Sequence, residues 1–400
     1  MSGRALSALQ KRMWHLCTAY PGTSSPIVVL AWRIHGPLDV GRFTRAVETV
    51  VNRHDSLRTL FTAEPSLVVS PPAPFATNLL TGDPLAIVRE RGQALLDLER
   101  GPLTASCLIR LSDVEHVWCF TAHHLLADGA SAMVIEQEVA GSYRGEELAP
   151  ASPPEPETEG DLDWWVATLK GVPALELPAD KPRPAVKSTT TAGLDFVLGA
   201  DLVEALERLA RDWRSTTFML LLAGYQAMLS RASGQTDFCV GTSVDGRTSV
   251  ESERAVGLFA NMLALRCDVS PPLTFHELAR RTRTTTIEAL ARQNVPFGQI
   301  VNALDLPEDR SRTQVFQTIF TVHTEAASGI DLPGLRIEPF GAGTPQALHD
   351  LVLDLWRNEG GIAAAFRYDT CLFQPDTIAA LARRYEEVLR AAVRDPEAPL

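Results

Sequence analysis

Glu115-His116-Val117-Trp118-Cys119-Phe120-Thr121-Ala122-His123-His124-Leu125-Leu126-Ala127-Asp128-Gly129 reads as an apolar strand that ends in a turn and leads into a helix. Neighbouring side chains on a strand face opposite ways. His116, Trp118, Phe120, Ala122 and His124 therefore share one face, and Val117, Cys119, Thr121 and His123 the other. The two adjacent histidines thus have different surroundings and cannot play the same role. A neutral imidazole at a cleft can take a proton from an attacking amine or hydroxyl, or hydrogen-bond a charged intermediate. The structural alternative is a hydrogen-bonded histidine of the core. Asp128 either orients an imidazole or pairs with a distant arginine, because a buried carboxylate without a cation is costly. Gly129 has no Cβ, so its backbone can come close to a substrate.

Upstream of this stretch, Thr104 to Leu111 is strand-like, and with Glu115 to His123 it flanks Ser112-Asp113 as a hairpin. Helices are expected over Ser7 to Ala19, over Asp39 to Arg53 with Asp39 as N-cap, and over Pro84 to Leu96, with a strand over Pro26 to His35. Tyr20-Pro21-Gly22 breaks the first helix, and the prolines of 65–74 fit a loop or irregular edge. Residues 149–160 read as a surface connector, and the prolines of Leu177 to Pro184 stop any regular element. The junction between two lobes is expected there, giving an N-terminal lobe at 1–176, a connector at 177–185 and a C-terminal lobe at 186–400.

Beyond the junction the pattern restarts. Strands are expected at Gly193–Leu198, Asp237–Thr242, Asn261–Val269, Val315–His323 and Leu351–Trp356, with helices at Asp201–Trp213, Thr217–Ser230, Thr274–Gln293 and Pro375–Arg394. Each half mixes strands and helices, so the fold class is α/β, twice. A length of 400 residues also exceeds what one hydrophobic core normally supports.

Composition removes several functions. Forty-nine acids against 37 bases give a formal charge of −12, which argues against a nucleic-acid partner, since neutralising phosphates takes clustered positive charge. The longest uncharged apolar run, Phe218 to Tyr225, is far short of a membrane span, and Arg4, Lys11 and Arg12 interrupt any secretory h-region, so a cytoplasmic location is expected. Six scattered cysteines form no C-x-x-C pair and signal neither zinc nor a disulfide framework. No Gly-x-Ser-x-Gly elbow, H-E-x-x-H, Walker loop or dinucleotide loop occurs, so ATP, NAD and metal chemistry have no support and an activated substrate must arrive from outside.

His123 to Gly129 resembles the active-site signature of the condensation domains of nonribosomal peptide synthetases, within the chloramphenicol-acetyltransferase-like superfamily. Ser7 to Trp14, Arg53 to Phe61, Leu177 to Pro184, Val256 to Asn261, Gln293 to Phe297, Ser311-Arg312 and Tyr368 to Phe373 resemble further motifs of that family in order, so the resemblance spans the chain. It implies two acyltransferase-like lobes in a V-shaped pseudo-dimer with a central tunnel. A donor acyl or aminoacyl thioester, carried on the 4'-phosphopantetheine arm of an acyl or peptidyl carrier protein, would enter from one end. The acceptor, carrier-bound or free, would enter from the other.

By motif, His124 is the expected catalytic histidine and Gly129 would lie beside the acyl group. His123 and Asp128 would be structural, with Arg266, ahead of Arg58, as the cation for Asp128. Ala130, Ser131, Asn261 and Thr313 would line the substrate tunnel. Ala130 stands where many relatives carry Trp, and Thr313-Gln314 where Asn-Pro is common, and these departures bear on the acceptor. The activity implied is amide-bond formation with an amine, without metal or a cofactor of its own. Ester formation with a hydroxyl acceptor is the sister possibility, and a non-catalytic recruitment module is a third. No adenylation or carrier domain is visible up to Leu400, so a free-standing enzyme with partners in trans is expected. Arg280, Arg281 and Arg283, or Arg383 and Arg384, are candidates for a basic face that meets an acidic carrier.

Overall fold

The computed structural model describes residues 4–19, 26–62, 66–152, 160–188, 190–271, 273–323, 330–341, 349–358 and 360–400. The expected break at 20–22, Pro65 and most of the connector at 149–160 lie outside the described residues. The chain forms two units, one of residues 1–158, 245–260 and 326–344, the other of 159–244, 261–325 and 345–400.

The first unit begins with β1 (Arg4–Ala5), α1 (Ala8–Ala19), β2 (Ile27–His35), α2 (Val40–Arg53), β3 (Thr59–Phe61), β4 (Ser66–Val69) and β5 (Thr77–Leu80). It continues through α3 (Pro84–Gly92), β6 (Thr104–Ser112), β7 (Glu115–His123) and α4 (Gly129–Arg144). The Asp39 carboxylate accepts from Arg42 N–H and starts α2, whose Phe43, Ala46, Val47, Val50 and Val51 form one buried stripe. β7 runs antiparallel between β2 and β6, with Ile27 opposite His123 and Cys107 opposite Cys119. Strand alternation then divides the packing. Trp118, Phe120 and Ala122 join Phe43, Val47 and Ile135 from α2 and α4, whereas Val117 and Cys119 join Val88, Cys107 and Ile109.

The second unit follows with α5 (Leu162–Leu169), β8 (Thr191–Gly199), α6 (Ala200–Asp212), α7 (Thr217–Ser233), β9 (Asp237–Val244), β10 (Asn261–Asp268), α8 (Phe275–Leu290), α9 (Phe297–Leu304) and β11 (Thr318–His323). β12 (Arg336–Pro339) belongs to the first unit, and β13 (Leu351–Asn358), β14 (Gly361–Asp369) and α10 (Pro375–Arg394) return to the second. The second unit's sheet has the order β10-β9-β11-β13-β14-β8, with β11 parallel to both its neighbours. α7 lies deepest: it is buried from Met219 to Leu229 and packs on α10 so closely that a Cβ on Gly224 would sit 2.4 Å from Leu389.

The units correct the expected division at 177–185. α5 already belongs to the second unit, because Trp165 and Leu169 are buried in its core. Two later segments go to the first unit: 245–260, and 326–344, where β12 adds antiparallel to the edge strand β2 with Glu338 opposite Arg33. A short two-residue alternation such as Arg336–Pro339 carries no sign of which sheet it will join.

Candidate active site

β7 ends at His123, and the chain turns sharply before α4: His123 N–H donates to Leu103 O, His124 N–H to Pro26 O and Leu126 N–H to His123 O, each at 2.8 Å. Leu125, Leu126 and Ala127 are buried and anchor the turn. The two histidines part as alternation requires. His123 is fully buried, and its Nδ1 accepts from Leu125 N–H at 3.1 Å. Burial, and secondarily the neighbouring His124, push its pKa down to about 4, so the ring is neutral near pH 7. With Nδ1 as acceptor, the ring proton sits on Nε2, which lies 3.7 Å from Cys17 Sγ. His124 is half-buried, and among the described residues neither of its ring nitrogens has a hydrogen-bond partner, Nδ1 being buried as well.

Asp128 is the N-cap of α4 and is 1% exposed. Its Oδ1 accepts from Ser131 N–H at 2.8 Å, Ser131 Oγ–H at 2.7 Å and Arg247 Nη2 at 2.9 Å. Its Oδ2 accepts from Arg247 Nη1 at 3.0 Å, Phe259 N–H at 2.9 Å and Ala260 N–H at 3.0 Å. Burial alone would raise the carboxyl pKa, but the Arg247 and Ser131 donors outweigh it and hold the group below its ordinary value. Arg247 is itself held by Ser252 O and Ala255 O and lies over the Phe259 ring, 4.5 Å from its centre.

Arg247 therefore replaces both expected cations. Arg58 pairs with Asp55 at 2.6 Å and donates to Ser70 O, while Arg266 pairs with Asp237 at 2.7 Å inside the second unit. The only local trace of Arg247's role is Asp245-Gly246-Arg247 directly after β9. Gly246 has φ +65°, and a Cβ there would lie 2.1 Å from Phe259 O, so the chain at this point must be glycine for the loop to close. The pairing itself joins positions 119 apart in sequence and is not encoded locally.

Two of the expected tunnel residues have other employment. Ser131 is fully buried, and its hydroxyl bridges Asp128, to which it donates, and the backbone of Gly257, whose N–H donates to it at 3.0 Å. Asn261 saturates its amide: Nδ2 donates to Gln293 O and Val295 O, and Oδ1 accepts from Met262 N–H and Phe297 N–H. Both serve as structural clamps, with their polar groups committed to these partners. Ala130 is half-buried in the first turn of α4, and half-buried Thr313 donates its hydroxyl to Phe316 O at 2.6 Å. Gly129 is exposed at the start of α4, and a Cβ there would meet nothing within 4 Å. The site thus comprises an unpartnered imidazole and an open helix N-terminus, braced by a buried ion pair.

Of the expected basic faces, Arg280 and Arg281 share Glu277, and Arg281 also pairs with Asp268 at 3.0 Å, so that cluster is largely neutralised. Arg283 donates to Arg214 O, whereas Arg383 and Arg384 are exposed on α10. Among the described residues no group of three His, Cys, Asp or Glu side chains is placed to hold a metal, and no helix is long and apolar enough to cross a membrane.

The model of the condensation-domain family matches residues 3–400. The chain belongs to the condensation-domain family. Condensation domains of nonribosomal peptide synthetases form peptide bonds and work with carrier proteins that present substrates on phosphopantetheine arms. This condensation domain is 32% identical to tyrocidine synthase 3 of Brevibacillus parabrevis over 99% of its own length and 6% of that protein's. Against phosphinothricin tripeptide synthetase PhsB of Streptomyces viridochromogenes the identity is 34%, over 99% of the domain and 36% of the synthetase. The domain therefore spans a minor part of these relatives. Among solved structures, the X-domain from teicoplanin biosynthesis is 29% identical with a TM-score of 0.90, covering 100% of this chain and 97% of that one. The same X-domain in complex with OxyB is 28% identical with a TM-score of 0.88, covering 100% and 95%.

Proposed function

We propose that this condensation domain is catalytic and joins a carrier-bound acyl or aminoacyl thioester to an amine. The observation that carries the reading is the free imidazole of His124 beside a motif whose other members are fully engaged. The thioester is already activated, so the protein must mainly align two substrates and move one proton. The amine nitrogen attacks the thioester carbonyl and His124 takes the proton that nitrogen sheds. Collapse of the tetrahedral species breaks the carbon–sulfur bond, and the proton passes to the departing phosphopantetheine thiolate. The products are an amide and a free thiol, with no metal and no cofactor of the domain's own. Gly129 leaves room for the acyl group at the N-terminus of α4, where the helix dipole favours the developing oxyanion. Carrier proteins would meet the exposed Arg383 and Arg384. A hydroxyl acceptor, giving an ester, follows the same steps. The unpaired cysteines fit a reducing cytosol.

Incubation with a panel of acyl- and aminoacyl-loaded carrier proteins and amines, read by mass spectrometry, tests the reading. His124→Ala is expected to lower product formation by about a hundredfold or more while the fold is retained. Equal turnover by the variant would assign the proton to another group.

A second reading is favoured by one finding: the similar X-domain has been solved in complex with OxyB, so a relative of this domain binds another protein. In that reading the domain recruits a partner and makes no bond. Absence of amide and ester across the panel, with stable binding of a tailoring enzyme, would support it.

A further inference from the structure

α1 touches the 123–126 turn at two places, seven residues apart on one helix face. At its start, Ser7 N–H donates to Gln10 Oε1 and Gln10 N–H to Ser7 Oγ, both at 3.1 Å, a reciprocal cap that fixes the glutamine. Gln10 Nε2 then donates to Leu125 O at 3.3 Å. Two helical turns on, Cys17 Sγ lies 3.7 Å from His123 Nε2. Between the two contacts, Met13 and Trp14 pack against the apolar cluster that holds Leu125 and Leu126. The bond from Leu125 N–H to Nδ1 assigns the single proton of neutral His123 to Nε2, and Cys17 is its acceptor. Burial pushes the Cys17 thiol up to about 11, so the acceptor is a thiol sulfur and not a thiolate.

We propose that Cys17 is a positioning residue for His124: it accepts the Nε2 proton of His123, fixes that ring, and through Leu125 N–H fixes the turn on which His124 stands. The proposal rests on the catalytic reading of His124. A thioether or thiol sulfur is a weak acceptor, so the contact works by direction more than by strength. With Gln10 at the other end, it makes α1 a splint along the turn.

Long-range nitrogen–proton correlation spectra of protein labelled with 15N-histidine read the His123 tautomer with no substrate present. The wild-type protein is expected to show the Nε2–H form near neutral pH. Cys17→Ala is expected to shift the His123 Nε2 resonance and to lower kcat about two- to tenfold at unchanged KM, for the fastest carrier–amine pair of the panel. Cys17→Ser, whose hydroxyl can accept the same proton, is expected to restore both. The Nδ1–H tautomer in the wild type, an unmoved resonance in Cys17→Ala, or a Cys17→Ser protein as slow as Cys17→Ala overturns the proposal. The spectra decide the Cys17–His123 contact even if no amide forms, which separates its failure from failure of the catalytic reading.

Discussion

Asp128 and Arg247 meet in a two-pronged ion pair with side chains 1% and 3% exposed, which ties the loop after β9 to the N-terminus of α4. The carboxylate accepts six hydrogen bonds, and it does three things at once: it caps the helix, neutralises the guanidinium and holds the backbone at Phe259 and Ala260. The signature aspartate thus serves the architecture around His124, and in the proposed catalytic reading the chemistry is left to the imidazole.

Removing one partner of such a pair leaves an uncompensated buried charge, which costs about 3–5 kcal/mol. Arg247→Met is expected to lose stability on that scale in urea melts. Asp128→Ala combined with Arg247→Met should cost less than the sum of the two single changes, because the second removes a charge the first has orphaned. An Arg247→Met protein within about 1 kcal/mol of the wild type would mean that the pair is not buried in solution.

The motif also sets an acid limit in two separate pH windows. His123 falls from the ordinary histidine value of 6.5 to about 4 on folding, so between those values the unfolded chain binds more protons. Its contribution to stability is fully present above 6.5 and is lost as the pH falls to about 4, by about 3 kcal/mol in all. Asp128 is depressed below 3.8, so its contribution is present above that value and fades only at lower pH. His123→Asn keeps an acceptor for Leu125 N–H and does not titrate. Its stability should fall less steeply across the upper window than the wild type's, the remaining slope including that of His116, which burial also holds below the ordinary histidine value, and a slope equal to the wild type's would place the titrating group elsewhere.

How much of this is legible in the sequence depends on the range of the interaction. Asp39 as a cap, the alternating faces of β7 and the long helices α7 and α10 follow from local pattern, and the structure places them where the pattern does. The different surroundings of His123 and His124 also follow from alternation alone. Arg247 does not, because a buried carboxylate demands a cation without saying which of 37 bases supplies it. Ser131 and Asn261 look like polar lining in one dimension, and only their saturated hydrogen bonds reveal them as clamps. β12 and β14 escape the sequence pattern for opposite reasons: Arg336–Pro339 is too short to show a period, and Gly361–Asp369 is nearly apolar throughout because it lies between β13 and β8.

Gly129 allows chemistry and stability to be tested apart. It opens α4, is exposed, and has nothing within 4 Å of where a Cβ would stand, so the Cβ of Gly129→Leu meets no neighbour and the change replaces the poorest non-proline helix former with a good one. The variant is expected to melt at or slightly above the wild-type temperature. If the acyl group lies against this backbone, the added side chain fills its place, and kcat/KM should fall at least tenfold, that is by about 1.4 kcal/mol or more of transition-state binding. Gly129→Ala should fall between the two. A stable Gly129→Leu enzyme with unaltered kcat/KM would remove the acyl group from the N-terminus of α4, and with it the role given to that helix in stabilising the oxyanion, while leaving the proton transfer at His124 untouched.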